Sequence, residues 1–127
     1  MDKLEYIPGD LAFHYIPKTI IKKYVKVYVC STQNALSLED MDGNLYDYIG
    51  ELYPIPLTPE ILEKNGWREE KGDYINDNYH IKLCEKIDGY SAYKVVNDTI
   101  VWLRDVKSVS NLQHLLFGLG LNSEMEV

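Results

Sequence analysis

The stretch LYPIPLTPEILEKNGW, residues 52–67, constrains the fold most, because it marks both ends of one short helix. Pro54 and Pro56 lack an amide hydrogen and disfavour helix in the residue before each of them, so the chain should be extended here. Thr58 is a good N-cap, and Pro59 suits the first helical position because its missing donor costs nothing there. The helix is therefore predicted to begin at Pro59.

The end of this helix is marked with equal clarity. Gly66 can adopt the left-handed conformation that ends a helix, and Trp67 can then fold back on Leu62, as in a Schellman motif. We expect the last helical residue near Asn65. A helix this short is not stable alone, so it must pack against other elements.

A chain of 127 residues is large enough for one domain, but not for two independent cores. We predict a single domain with two lobes that are joined by the short helix. Residues 1–57 would form an N-terminal β lobe. Residues 58–127 would contain the helix, a β-meander and a C-terminal helix.

Turn signals divide the second lobe into short, β-rich segments. Their positions predict four strands of an antiparallel meander, at about residues 68–75, 79–87, 90–96 and 99–104. In the second segment Ile81, Leu83 and Ile87 alternate with Lys82 and Lys86, which is typical of a sheet with one wet face. The apolar face of this sheet must be buried against another element.

The segment SVSNLQHLLFGLG is the element predicted to pack on that apolar face. Its apolar residues recur at helical spacing, so an amphipathic helix should lie across the meander. Ser110 and Gln113 fit a capping box, with Ser108 as an alternative N-cap. Residues 122–127, NSEMEV, are expected to be frayed.

The N-terminal lobe is less clearly marked. Segments around residues 10–16, 21–30 and 45–53 are rich in β-branched and aromatic residues and are predicted to be strands of a small bent sheet or partial barrel. Together with the second lobe, this makes the expected fold class α+β.

Charge and apolar patterning exclude several functions. Twenty acidic against thirteen basic residues give a formal net charge of −7, which repels nucleic-acid phosphates, so we do not expect nucleic-acid binding. No segment approaches the run of about 18 apolar residues that a membrane helix needs. The first residues lack the apolar region of a secretion signal, so the expected location is the cytoplasm.

Cys30 and Cys84 are isolated and are predicted to be reduced thiols. No cofactor is expected.

The segment DMDGNLYDYIGE, residues 40–51, is a candidate calcium site. An EF-hand loop places oxygen ligands at positions 1, 3, 5 and 12, which here are Asp40, Asp42, Asn44 and Glu51. These four residues are the only metal ligands that the sequence suggests.

The position of the glycine favours a different interpretation of that segment. The sixth loop position requires glycine but is Leu45, and glycine comes earlier, at Gly43. The alternative is an Asp-Gly hairpin turn between strands that end near Leu38 and begin near Leu45.

Eleven tyrosines are the strongest compositional signal that remains. Tyr46 and Tyr48 would share one face of a strand, and exposed tyrosines suit a protein interface. The alternative is that the tyrosines build the sheet itself.

No catalytic constellation is recognisable in the sequence. The serines lie in no glycine elbow, and no glycine-rich loop could hold a phosphate. The three histidines lie in different elements and lack metal-ligand spacing. We therefore expect a non-enzymatic protein.

Two segments carry a resemblance. PIPLTPEILEKNGW, residues 54–67, and VSNLQHLLFGLG, residues 109–120, resemble a family of small, functionally uncharacterised proteins from Bacteroidetes genomes, their phages and mobile elements. The resemblance implies a shared scaffold and an association with a phage or mobile element. It carries over no functional residue.

Two functional hypotheses follow. The first is an interaction or accessory protein that contacts an unknown protein partner through an acidic or tyrosine-rich surface. The alternative is a small-ligand or metal-binding protein, possibly an enzyme, with its site between the two lobes near Trp67. The sequence carries no signal for the oligomeric state.

Overall fold

The computed structural model describes residues 9–15, 22–30, 35–40, 42–47 and 51–127. Within these ranges it contains ten strands and two helices, in two compact units, Met1–Ile55 and Pro56–Val127. The predicted α+β class is confirmed. Neither helix in the described ranges is long and apolar enough to cross a membrane.

The N-terminal unit is built on an antiparallel sheet with the strand order β4-β3-β2-β1-β5. Its strands are β1 Leu11–Tyr15, β2 Lys22–Cys30, β3 Ala35–Asp40, β4 Leu45–Asp47 and β5 Glu51–Tyr53. Val25 and Val27, two residues apart on β2, are fully buried because alternate residues of a strand share one face. The single segment expected at 45–53 contains two strands, which lie at opposite edges of the sheet.

The second unit begins with helix α1 and continues as an antiparallel meander that is covered by helix α2. Its elements are α1 Pro59–Lys64, β6 Arg68–Glu70, β7 Asp73–Asn76, β8 Ile81–Lys86, β9 Gly89–Val96, β10 Thr99–Val106 and α2 Val109–Gly118. The strand order β10-β9-β8-β7-β6 follows the chain without a crossover.

The meander has five strands, so the predicted count of four was wrong. The segment expected as one strand at 68–75 is a hairpin, because Lys71 and Gly72 turn the chain with φ values of 54° and 89°. A second difference concerns Ile87, which was expected on the buried face. It lies in the turn between β8 and β9 and is fully exposed.

The predicted ends of α1 are confirmed. The Thr58 hydroxyl accepts a hydrogen bond from the amide of Ile61 at 3.3 Å, which satisfies one free donor of the first turn. At the other end, Gly66 has a φ of 88°, and the amide of Trp67 donates to the carbonyl of Leu62 at 3.0 Å. This is the Schellman geometry, and it turns Trp67 into the core, where it is buried.

Helix α2 begins one residue after Ser108, whose hydroxyl accepts from the amide of Asn111 at 3.2 Å. The alternative N-cap is therefore correct, and the capping box of Ser110 and Gln113 was wrong, because both residues lie inside the helix and are buried. The apolar stripe of α2 is buried as expected except for Leu119, which lies just past the end of the helix and is exposed, and the helix contacts β10.

Residues 122–127 are held by hydrogen bonds, so the expected fraying was wrong. The amide group of the Gln113 side chain donates to the carbonyl of Ser123 at 3.1 Å, and the Lys64 ammonium donates to the oxygen of Val127 at 3.0 Å. The Asn65 side chain accepts from the amide of Glu126 and donates to its carbonyl, both at 2.8 Å. We call residues 122–127 the docked segment.

Candidate interaction surface

The two edges of the five-stranded sheet differ in length and chemistry. Strand β6 has three residues, all charged and exposed, and Arg68 forms ion pairs with Glu70 at 2.6 Å and Asp77 at 2.8 Å. Short length and charge are the devices by which proteins prevent an edge strand from pairing with another chain. The β6 edge is therefore protected.

The opposite edge, β10, has neither protection over its first half. This strand has eight residues, and among the described strands only β9 pairs with it. Ile100, Val101 and Trp102 are consecutive and are 52%, 50% and 58% exposed. Because consecutive side chains of a strand point to opposite faces, this edge has exposed apolar groups on both sides of its backbone.

The turn end of the β9–β10 hairpin extends beyond the end of the neighbouring strand, β8. Strand β8 pairs with β9 only as far as Lys94, which lies opposite Ile81. Beyond Lys94 the two strands of the hairpin pair with each other, and Asn97 turns the chain with a φ of 53°. Ile100, opposite Val95, therefore lies beyond the pairing with β8, whereas Val101 and Trp102 lie opposite Lys94 and Tyr93, which still pair with β8.

On the face of the sheet opposite the buried residues, four apolar side chains are cross-strand neighbours. Trp102 lies opposite Tyr93, and Ile100 lies opposite Val95. Tyr93 and Val95 are half-buried, while the two β10 residues are exposed. Pairs of aromatic and β-branched side chains stabilise neighbouring strands and leave a continuous apolar surface. We call these four residues the apolar patch.

Charged groups on the same face are paired. The Lys86 ammonium lies 2.8 Å from the carboxylate of Asp105, which also accepts a hydrogen bond from the Ser91 hydroxyl at 2.8 Å. The hydrogen bond from Lys86 and then that from Ser91 hold the pKa of Asp105 below its usual range, and Asp105 raises the pKa of Lys86. A second pair joins Lys82 and Asp73 at 3.5 Å. The apolar patch is thus bordered by neutralised charge.

Cys84 lies in the same row of side chains, opposite Ser91 on β9, and is a free thiol. Burial, and then the negative charge of Asp73, raise the pKa of this thiol. A raised pKa leaves little thiolate at neutral pH, and the thiolate is the nucleophile. This face of the sheet therefore supports contact with another molecule better than covalent chemistry.

The structure brings three of the four calcium candidates together. One oxygen of the Asp40 carboxylate accepts from the amides of Asp42 and Asn44, both at 2.9 Å, and the other accepts from the Asn44 side chain at 3.1 Å. These bonds close the hairpin turn between β3 and β4. Glu51 begins β5, at the opposite edge of the sheet. The calcium site stays a prediction.

The other expected site residues fall partly outside the described ranges. Tyr46 lies on β4, where only its backbone is described, opposite Leu38 on β3, and Tyr48 is outside the described residues. Their role at an interface stays a prediction. Across the part of the chain that the structure describes, no group of three histidine, cysteine or carboxylate side chains could hold a metal ion.

The apolar patch was not predicted from the sequence. The signal was present in the run IVWL, residues 100–103, which lacks the alternation of a half-buried strand. Such a run is typical of a strand buried on both faces, so its place at a sheet edge became visible only with the strand order.

Comparisons with protein-family models, with curated proteins and with solved structures found no match.

Proposed function

We propose that this chain is a non-enzymatic protein-interaction module that binds its partner through the free edge of β10 and the apolar patch. The observation that carries the proposal is the run of three half-exposed apolar residues, Ile100, Val101 and Trp102, on the edge strand β10, which among the described strands pairs only with β9. Large exposed apolar groups that adjoin each other mark protein interfaces more often than do single ones.

The chemistry of the edge defines the partner. An unpaired edge strand presents amide and carbonyl groups to which an extended segment of another protein can add as a further strand. Trp102 would be the main side-chain anchor, since tryptophan is enriched among the residues that dominate binding energy. The partner would therefore contribute an extended, apolar segment.

The paired charges around the apolar patch support the same function. Lys86 and Asp105 already neutralise each other, so a partner can cover their neighbours without burying an unpaired charge. The cytoplasmic location and the association with a phage or mobile element come from the sequence and its resemblance, and they are part of this proposal.

The test is affinity capture with three tagged proteins from a bacterial lysate. An untagged copy of the chain is added to the lysate, so that binding to a second copy is also detected. The proteins that each tagged protein retains are compared. The tagged proteins are the wild type, Trp102→Lys and the control Phe117→Lys, which changes an equally exposed aromatic residue on α2. We expect a stoichiometric protein that the wild type and the control retain and that Trp102→Lys loses at least tenfold.

Two results would overturn the proposal. In the first, Trp102→Lys retains the same protein as the wild type, which would move the interface elsewhere. In the second, the wild type retains no protein at all. Repeating the capture with added calcium tests the candidate site at Asp40, because retention that requires calcium and survives Trp102→Lys would favour the metal-binding alternative.

A further inference from the structure

Asn65 and Gly66 form the sequence pair in which asparagine loses its side-chain amide most readily, because glycine does not hinder attack by its own backbone nitrogen. We propose that this pair is a modification site that the docked segment protects, and that deamidation of Asn65 releases the docked segment. None of these residues belongs to β10 or to the apolar patch.

The reaction requires only water. The backbone nitrogen of Gly66 attacks the side-chain carbonyl carbon of Asn65, and a carbon–nitrogen bond closes a five-membered imide. The bond from that carbon to the side-chain nitrogen breaks, and this nitrogen leaves as ammonia with the proton that Gly66 gives up. Water then opens the imide and leaves either aspartate or its backbone-extended isomer at position 65.

The folded structure blocks both reacting groups. The Asn65 side-chain amide donates to the carbonyl of Ile61 at 2.7 Å and to that of Glu126 at 2.8 Å, while its oxygen accepts from the amide of Glu126. The attacking nitrogen of Gly66 is also engaged, because it donates to the carbonyl of Glu63 at 3.2 Å. Attack therefore requires that the end of α1 opens and that the Glu126 backbone leaves.

The product cannot rebuild the two hydrogen bonds that the Asn65 side chain donates. Aspartate at position 65 would point an oxygen, instead of an N–H group, at the carbonyl oxygens of Ile61 and Glu126, and unpaired acceptors that face each other are costly. Its negative charge would also lie at the carboxyl end of α1, where the helix dipole disfavours it. The backbone-extended isomer would in addition displace Gly66 from its left-handed position. Deamidation is thus a one-way release of the docked segment.

The first experiment measures the rate of deamidation at Asn65 by peptide mapping at pH 8. Three samples are compared: the folded protein, the protein in urea, and the folded variant Glu126→Pro. The variant removes the backbone N–H group that donates a hydrogen bond to the Asn65 side chain, and it leaves Asn65 and Gly66 unchanged. We expect the folded protein to react at least tenfold more slowly than the unfolded one, and Glu126→Pro to react several-fold faster than the folded wild type. Equal rates in the folded and unfolded protein, or no acceleration in Glu126→Pro, would overturn the protective role.

The second experiment tests release directly. Asn65→Asp reproduces one product, and hydrogen exchange of the Glu126 amide reports whether the segment is still docked. The control is Asn122→Asp, because the Asn122 side chain accepts from the amide of Glu124 at 3.1 Å and, among the residues that the structure describes, donates no hydrogen bond. We expect at least a tenfold loss of protection at Glu126 in Asn65→Asp and none in the control. Unchanged protection in Asn65→Asp would refute the release.

Discussion

Gly89 lies directly against the backbone carbonyl of Val106, so that a Cβ atom at position 89 would be only 2.6 Å from that oxygen. Strand β9 begins at Gly89, and Val106 ends β10, its partner across the sheet. The close approach of two backbones, together with a φ of 140° at position 89, leaves no room for any other residue. This contact closes the end of the sheet nearest to α2.

We expect Gly89→Ala to lower the free energy of unfolding by about 2 to 6 kcal/mol, since backbone strain and overpacking each cost about 1 to 3 kcal/mol. Urea unfolding measures the change. The control is Gly118→Ala at the end of α2, where an added Cβ would meet nothing within 4 Å beyond its chain neighbours and the backbone of its own helix. Alanine favours helix by up to about 1 kcal/mol, so this variant should be as stable as the wild type or more so. Equal losses in both variants would contradict the prediction.

Thr58→Ala should destabilise the second unit by about 1 kcal/mol, because it removes the hydroxyl that caps the first turn of α1. Thr58→Ser keeps the hydroxyl and should cost a few tenths of a kcal/mol at most. Thermal unfolding of the two variants under the same conditions compares them. If serine destabilises as much as alanine, the methyl group and not the cap is what matters.

The ion pair of Lys86 and Asp105 predicts a pH dependence. The pKa of Asp105 is lower in the folded state than its unfolded value of about 3.9, so the folded state binds this proton less tightly. The resulting stabilisation is fully present above the unfolded pKa and is lost as the pH falls through the folded pKa. NMR titration of the Asp105 carboxyl carbon measures that pKa directly.

Lys86→Met should raise the pKa of Asp105 towards the unfolded value, because the largest cause of the shift is removed. The matched control is Lys107→Met, which breaks the ion pair with Asp88 at 3.1 Å and should leave Asp105 unchanged. An unaltered titration of Asp105 in Lys86→Met would show that the pair does not persist in solution.

Cys84 should react slowly with alkylating reagents in the folded protein. Burial, and then Asp73, raise its pKa, so less thiolate is present at pH 8 than for a free cysteine. Peptide mapping after timed treatment with iodoacetamide, in buffer and in urea, gives the two rates at this residue. A rate in buffer equal to that in urea would contradict the prediction.

The features that the sequence predicted correctly depend on short-range chemistry. Thr58, Gly66 and Trp67 act within one helix turn of the groups they satisfy, so propensity and spacing were enough to identify them. The amphipathic stripe of α2 was found for the same reason. Its N-cap was ambiguous, because Ser108 and Ser110 are both acceptable caps, and only the hydrogen bond from the Asn111 amide to the Ser108 hydroxyl separates them.

The features that were missed depend on neighbours that are distant in sequence or on a rare conformation. Lys71 turns the first hairpin with a positive φ, which lysine seldom adopts, so nothing in its type indicated a turn. Asn65 holds Glu126 across 61 positions, and no local pattern predicts such a contact. The exposure of Trp102 likewise depends on which strand lies at the edge of the sheet.

The unequal edges of the meander limit the stoichiometry of any complex that forms by strand addition. A sheet with two open edges can accept a strand at each edge. Each added strand presents a new open edge, so growth can continue into a fibre. In this sheet the three charged, exposed residues of β6 disfavour strand addition at one edge, which leaves β10 as the edge open to it. Under the proposed binding mode, each copy of this sheet therefore takes up one added strand.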